Sequence, residues 1–152
     1  MAVGVAGFCL VTISGLLPVG LSSNQTSLEQ TIAGNISSAI VSDLRSAQPL
    51  GAVTSPRFGI PIPASGGTAA PIPSAPQTII YLSSNGSVTS VTSSGSAAPV
   101  FRAAVGFGTA LQRNATPVRV LISWPALADS NSSGWPVNYS GSYEADTMLD
   151  RN

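Results

Sequence analysis

An apolar run opens the chain: from Met1 to Leu21 the polar side chains are Thr12 and Ser14. A helix of this length measures about 31 Å, close to the ~30 Å hydrocarbon thickness of a bilayer. The pattern favours a membrane or filament-core helix at residues 1–21. A cleaved secretory signal is one alternative, but neither Lys nor Arg precedes the run. A buried core helix is another, but the remaining chain has few large apolar side chains to surround it.

Residues 22–48 are more polar but keep a regular apolar position. One face carries an apolar residue at every fourth place, which is typical of an amphipathic helix: Leu28, Ile32, Ile36, Ile40 and Leu44. Asp43 and Arg45 fall on the polar side. Pro49 ends the pattern, because the residue before a proline avoids the α region. The sequence thus predicts one helix over residues 1–47, whose apolar stripe docks the globular part.

Pro18 interrupts the apolar half of this predicted helix. Its ring removes one backbone hydrogen bond and clashes with the preceding turn. We therefore expect a kink or local break between Ser14 and Pro18.

The rest of the chain is predicted to be an extended connection followed by strands. Residues 49–77 are rich in Pro and Gly, which indicates an extended or polyproline-like segment. Residues 78–152 alternate apolar and polar positions between turn residues, and Asn85-Gly86 predicts a type I′ hairpin. The predicted strands are Thr78–Ser83, Ser87–Ser93, Pro99–Gly108, Pro117–Trp124 and Tyr143–Leu149.

These elements predict an α+β fold, in which a long N-terminal helix, apolar and then amphipathic, packs on a small antiparallel β-sheet. The inward face of the sheet should bury its large apolar side chains against the stripe from Leu28 to Leu44, among them Phe101, Phe107, Val120 and Trp124. Arg119, Leu121 and Ser123 should point outward.

The composition excludes several classes of function. Six Lys plus Arg balance six Asp plus Glu, charged residues make up 8%, and there is no His. A neutral chain with scattered Arg lacks the positive cluster that nucleic-acid binding needs. One Cys and no His leave no ligand set for zinc, haem or an iron–sulfur cluster, and the usual general base of enzymes is missing. The composition therefore argues against an enzyme and against a bound cofactor.

One segment has the spacing of a calcium-binding loop. Asp129, Asn131 and Ser133 occupy alternate positions before Gly134, as at the start of such a loop. The twelfth position, where a bidentate Glu is expected, is Ser140. A weak calcium site and an ordinary turn-rich surface loop are both consistent with this segment.

Two carboxylates, Glu144 and Asp146, alternate along the last predicted strand and so point to the same side. A glycosidase pair would instead face across a cleft. Exposed acidic side chains that discourage edge-to-edge pairing of strands are the better interpretation.

Several segments together resemble the Verru_Chthon cassette protein B family, which is prepilin-like and is encoded in cassettes with similar partners. The segments are Gly15-Leu-Leu-Pro-Val-Gly-Leu21, Leu28-Glu-Gln30, Ser55-Pro-Arg-Phe-Gly-Ile-Pro-Ile-Pro63, Val118-Arg-Val-Leu-Ile-Ser-Trp-Pro125 and Leu149-Asp-Arg-Asn152. The resemblance implies a minor pilin or pseudopilin of a type IV pilus or a type II secretion-like assembly. Its partners would be other pilin-like subunits and the inner membrane, with the head in the periplasm or on an extracellular filament. The alternative is a single-pass, membrane-anchored periplasmic scaffold or binding protein that does not polymerise.

The resemblance also implies a prepilin leader, with Gly before the cleavage site, Phe after it and Glu at the fifth mature position. Gly7-Phe8 is similar to such a site, but Thr12 stands at the Glu position and neither Lys nor Arg lies upstream. Cleavage there would leave 14 apolar residues, from Phe8 to Leu21, too few to span a bilayer. We therefore expect the native leader to lie upstream of Met1.

Overall fold

The computed structural model describes residues 2–47, 53–64, 70–89, 99–109, 115–128 and 134–150. This part of the chain forms one long helix and two antiparallel sheets. In chain order the elements are α1 (Ala2–Ser46), β1 (Val53–Thr54), β2 (Pro61–Ile62), β3 (Thr78–Leu82), β4 (Phe101–Phe107), β5 (Thr116–Trp124) and β6 (Gly141–Leu149).

The single long helix predicted from the sequence is confirmed. Helix α1 has 45 residues and runs without interruption from Ala2 to Ser46. At about 1.5 Å per residue it is about 68 Å long. Of the kink or local break expected between Ser14 and Pro18, the break is wrong, because the helix is continuous through Pro18. The kink stays a prediction.

The main sheet contains four strands in the order β3-β4-β5-β6, each antiparallel to its neighbour. Val105 lies opposite Val120, which in turn lies opposite Ala145. One face of this sheet packs on α1, chiefly through β6 and β5. The predicted α+β architecture of one helix on an antiparallel sheet is therefore confirmed.

The core lies between α1 and the inward face of the sheet. The helix contributes Ala33, Ile36, Ile40 and Leu44, which are all buried. The sheet contributes a set that includes every side chain predicted to face the helix: Ile80, Leu82, Phe101, Ala103, Val105, Phe107, Val118, Val120, Ile122, Trp124 and Leu149. The rings of Phe101 and Trp124 meet edge to face, with centroids 5.8 Å apart.

The apolar stripe docks over less of its length than predicted. Leu28 is 64% exposed, and Ile32 is only partly buried. Both positions are apolar, but a residue at every fourth place drifts by about 40° per step around a helix with about 3.6 residues per turn. Leu28 has therefore turned away from the head, which lies beside Gln25 and Glu29 at this level. Hence α1 has a projecting half, residues 2–31, and a docked half, residues 32–46.

The second face of the sheet is covered as well, which the sequence did not predict. Leu121 and Ser123 point away from the helix as expected, yet both are buried. Trp135 lies on this face and donates a hydrogen bond from Nε1 to the Pro73 carbonyl oxygen at 3.2 Å. The missing side chain of Gly106 makes room for its ring, since a Cβ there would lie 2.8 Å from it.

Two shorter predictions need correction. The extended connection at residues 49–77 contains the two-residue strands β1 and β2, which pair Val53 with Ile62. Of the return strand predicted at Ser87–Ser93, residues 90–93 lie outside the described residues, and residues 87–89 make a single bridge, between Leu82 and Val88. The Ser83 N–H donates to the Ser87 carbonyl oxygen at 3.0 Å, so the chain reverses through the three residues Ser84, Asn85 and Gly86, not through a two-residue type I′ turn.

Candidate assembly surfaces

The projecting half of α1 carries a long uncharged surface. The first charged residue of the chain is Glu29. Val11 is 74% exposed, and a Cβ built on Gly4 or Gly7 would meet nothing within 4 Å. Residues 22–28 are exposed without exception. Val11 and Leu28 thus belong to an open lateral surface, whereas Ser22, Gln25, Thr26 and Glu29 line a groove beside the head.

No helix in the described part of the chain holds a stretch long and apolar enough to cross a membrane. The membrane-spanning segment expected at residues 1–21 is accordingly not confirmed.

A groove of about 520 Å³ lies where α1 leaves the head. The helix side is polar: Gln25 donates from Nε2 to Glu29 Oε1 at 3.3 Å, one helical turn away. The head side is formed by Trp124, Val100 and Pro99. The groove therefore marks the boundary between the projecting and docked halves.

Asp43 fixes the loop that precedes β2. Its two carboxylate oxygens accept the backbone N–H groups of Arg57 and Phe58, each at 3.0 Å. Asp43 is only 7% exposed, so its assignment to the polar side of the helix is wrong. These charge-assisted hydrogen bonds offset the cost of burying the carboxylate and hold the backbone of Arg57 in place.

A crevice of about 270 Å³ lies beside this loop, and we call it the Arg57 crevice. Helix α1, the loop at residues 55–60 and the turn after β3 meet there. Its apolar wall is formed by Ile32, Ile36, Ala39 and Phe58, and its polar wall by Asn35, Arg57, Ser84, Asn85 and Gly86. The guanidinium of Arg57 lies 5.0 Å from the centroid of the Phe58 ring, within the range of a cation–π contact.

The turn after β3 is held rigid by hydrogen bonds to the Asn85 side chain. Asn85 Oδ1 accepts from the Ser87 backbone N–H at 3.1 Å and from the Ser87 hydroxyl at 2.8 Å. Gly86 follows with φ at 76°, a left-handed conformation that glycine adopts without strain. The Asn-Gly pair thus positions one wall of the crevice, although in a longer loop than predicted.

On the opposite edge of the sheet, β6 exposes acidic side chains, and we call this surface the β6 edge. Glu144, Asp146 and Met148 are exposed, and they alternate with residues that face the helix. Arg119 Nε lies 2.6 Å from Glu144 Oε1 and its guanidinium packs over the Trp135 ring. The predicted placement of Glu144 and Asp146 on one exposed side is confirmed.

The candidate calcium ligands Asp129, Asn131 and Ser133 lie outside the described residues. Within the described ranges no three Cys, Asp or Glu side chains come together as a group that could hold a metal ion. The calcium hypothesis therefore stays a prediction.

Searches of family models, curated proteins and solved structures yield no match for this chain.

Sequence reasoning missed the Asp43 contact, the Arg57 crevice and the position of Trp135. Asp43 lies next to Leu44 of the apolar stripe, and this position beside a docking face was the one available sign of its burial. Trp135 stands in a Ser-, Asn- and Gly-rich segment, where no periodicity indicates what its ring covers. Both depend on contacts between residues far apart in the chain.

Proposed function

We propose that this protein is a pilin-like structural subunit, a minor pilin or pseudopilin of a type IV pilus or type II secretion-like assembly. The observation that carries the proposal is the projecting half of α1, a long helix without a charged side chain before Glu29, with a head attached at its other end. The resemblance in sequence to the Verru_Chthon cassette protein B family supports the same interpretation.

The projecting half exposes apolar surface to solvent. Side chains such as Val11 and Leu28 lie in solvent in the single chain. Burying apolar surface contributes about 25 cal/mol per Å², so several such helices would gain stability by packing together. Gly4 and Gly7 lie one turn apart with open space around them, and small residues allow helix backbones to approach closely. Lateral packing of copies through the projecting half follows from these features.

The head would then lie outside the helical core of the assembly. Its sheet buries the docked half of α1, so the head folds on the same helix that enters the core. The proposed partners are other pilin-like subunits. The proposed locations are the inner membrane, with the head in the periplasm, or an extracellular filament.

The test is to express the full chain with a tag on the head in its native cell and shear the cell surface. We expect the tagged protein in the sheared fraction, and electron microscopy of that fraction should show labelled filaments. Retention of all the tagged protein in the membrane fraction, without filaments, would contradict the proposal and favour the non-polymerising anchored scaffold.

A further inference from the structure

The Arg57 crevice has the chemistry of a site for a carboxylate. Arg57 is exposed, and within the described ranges the one ion pair joins Arg119 to Glu144. Its guanidinium therefore has no acidic partner among the described residues, while its backbone is held by Asp43. The side chains of Asn35 and Asn85 lie on the same wall and can donate further hydrogen bonds to an anion.

The opposite edge of the head carries a carboxylate of the matching kind. Asp146 is exposed and belongs to no ion pair among the described residues, because Arg119 binds Glu144 instead. Two residues further along, and on the same side of β6, Met148 is 61% exposed. An acid and a flexible apolar side chain thus lie next to each other on the β6 edge, just as Arg57 and Phe58 do in the crevice.

These two surfaces lie at opposite edges of the head. The crevice includes the turn that follows β3, and Asp146 lies in β6; β3 and β6 are the two outer strands of the main sheet. Four strands separated by about 4.8 Å place these edges roughly 14 Å apart. One chain therefore cannot join its own two surfaces, but two neighbouring copies can.

We propose that the occupant of the Arg57 crevice is the β6 edge of a second copy of this chain, with Asp146 paired to Arg57 and Met148 packed beside Phe58. Because the two surfaces differ, a pair of copies still has one free crevice and one free β6 edge. Further copies can therefore add at both ends, and the contact does not close into a two-fold dimer. This contact between the heads of neighbouring copies deepens the proposed structural function and rests on it. The charged pair sets the register of neighbouring heads, while helix packing buries most of the apolar surface between copies.

The test uses the full chain and measures the critical concentration for assembly by sedimentation, with the variants Arg57→Glu, Asp146→Arg and both together. We expect each single reversal to raise the critical concentration at least about tenfold, and the double reversal to return it to within about threefold of the wild type. Arg45→Glu is the matched control, because Arg45 is exposed but bonds to Thr147 Oγ1 at 3.0 Å in its own chain; it should leave assembly unchanged.

Milder variants guard against misfolding. Arg57→Gln and Asp146→Asn remove the charge but change the side chain less than a charge reversal does. The contact can therefore still be tested if a charge reversal unfolds the head. Both should weaken assembly, and the effect should shrink at high salt, where exposed charges are screened. If the wild type assembles and these variants assemble equally well, the proposed contact between neighbouring heads is wrong, while the proposed function stands. If the wild type does not assemble at all, the proposed function fails first.

Discussion

The two halves of α1 belong to one continuous helix but meet different surroundings. The projecting half holds no charge before Glu29 and is the more apolar in composition, yet Val11 and Leu28 are exposed. The docked half is more polar in sequence, yet Ile36 and Ile40 are buried against the sheet. Burial within the single chain is therefore decided by where the sheet lies, and the apolar surface left over is available to other chains.

The largest expected effect comes from placing a charge in the docked half. Ile40→Asp puts a carboxylate at a position that is 0% exposed, where a charge without a partner costs several kcal/mol. We expect a loss of at least about 4 kcal/mol and an unfolded head, measured by urea denaturation with tryptophan fluorescence. The control is Val11→Asp in the projecting half, which should leave the head's unfolding midpoint unchanged. Equal losses from both would contradict the division of the helix.

A milder pair compares two positions of the same apolar stripe. Ile36→Ala removes a buried side chain and should cost about 2–5 kcal/mol. Leu28→Ala removes an exposed one and should change the stability of the head by less than about 0.5 kcal/mol. Thermal unfolding of dilute, unassembled protein measures both. A comparable loss for Leu28→Ala would mean that the head covers more of the helix than the structure shows.

The next effect concerns two glycines with different surroundings. A Cβ on Gly141 would lie 2.3 Å from the Trp124 ring, whereas one on Gly34 would lie 3.6 Å from Tyr143, an ordinary contact. Gly141→Ala should therefore destabilise the head by about 1–3 kcal/mol through overpacking. Gly34→Ala lies inside a helix and should stabilise it by about 0.5–1 kcal/mol. Denaturation midpoints that move in the same direction for both variants would contradict this.

An effect of similar size tests the Asp43 contact. Asp43→Asn keeps the shape but replaces one acceptor oxygen by an amide group, leaving an N–H of Arg57 or Phe58 without its acceptor. We expect a loss of about 1–3 kcal/mol in the free energy of unfolding. Asp146→Asn on the exposed β6 edge is the control and should change it by less than about 0.5 kcal/mol. An unaffected Asp43→Asn head would show that the loop is held by other contacts.

The parts that followed from the sequence are those governed by a local period. The apolar stripe predicted the buried positions Ile36, Ile40 and Leu44, and alternation predicted the inward faces of β4 and β5. Where the docked half starts did not follow, because tertiary packing decides which face of the helix meets the head. The carboxylate of Asp43 and the ring of Trp135 bind residues 14 and 62 positions away, respectively, and no local pattern encodes such pairs.

We propose that copies of the chain pack helix to helix through the projecting half of α1, not through its docked half. The most direct measurement is cross-linking of assembled protein in which Cys9, the single cysteine, is replaced by Ser and one new cysteine is introduced. Thr12→Cys places it on the exposed surface of the projecting half, and Ser38→Cys places it on the exposed surface of the docked half. With a short bismaleimide we expect covalent dimers for Thr12→Cys and monomers for Ser38→Cys. Dimers for Ser38→Cys alone, or for neither variant in assembled protein, would contradict it.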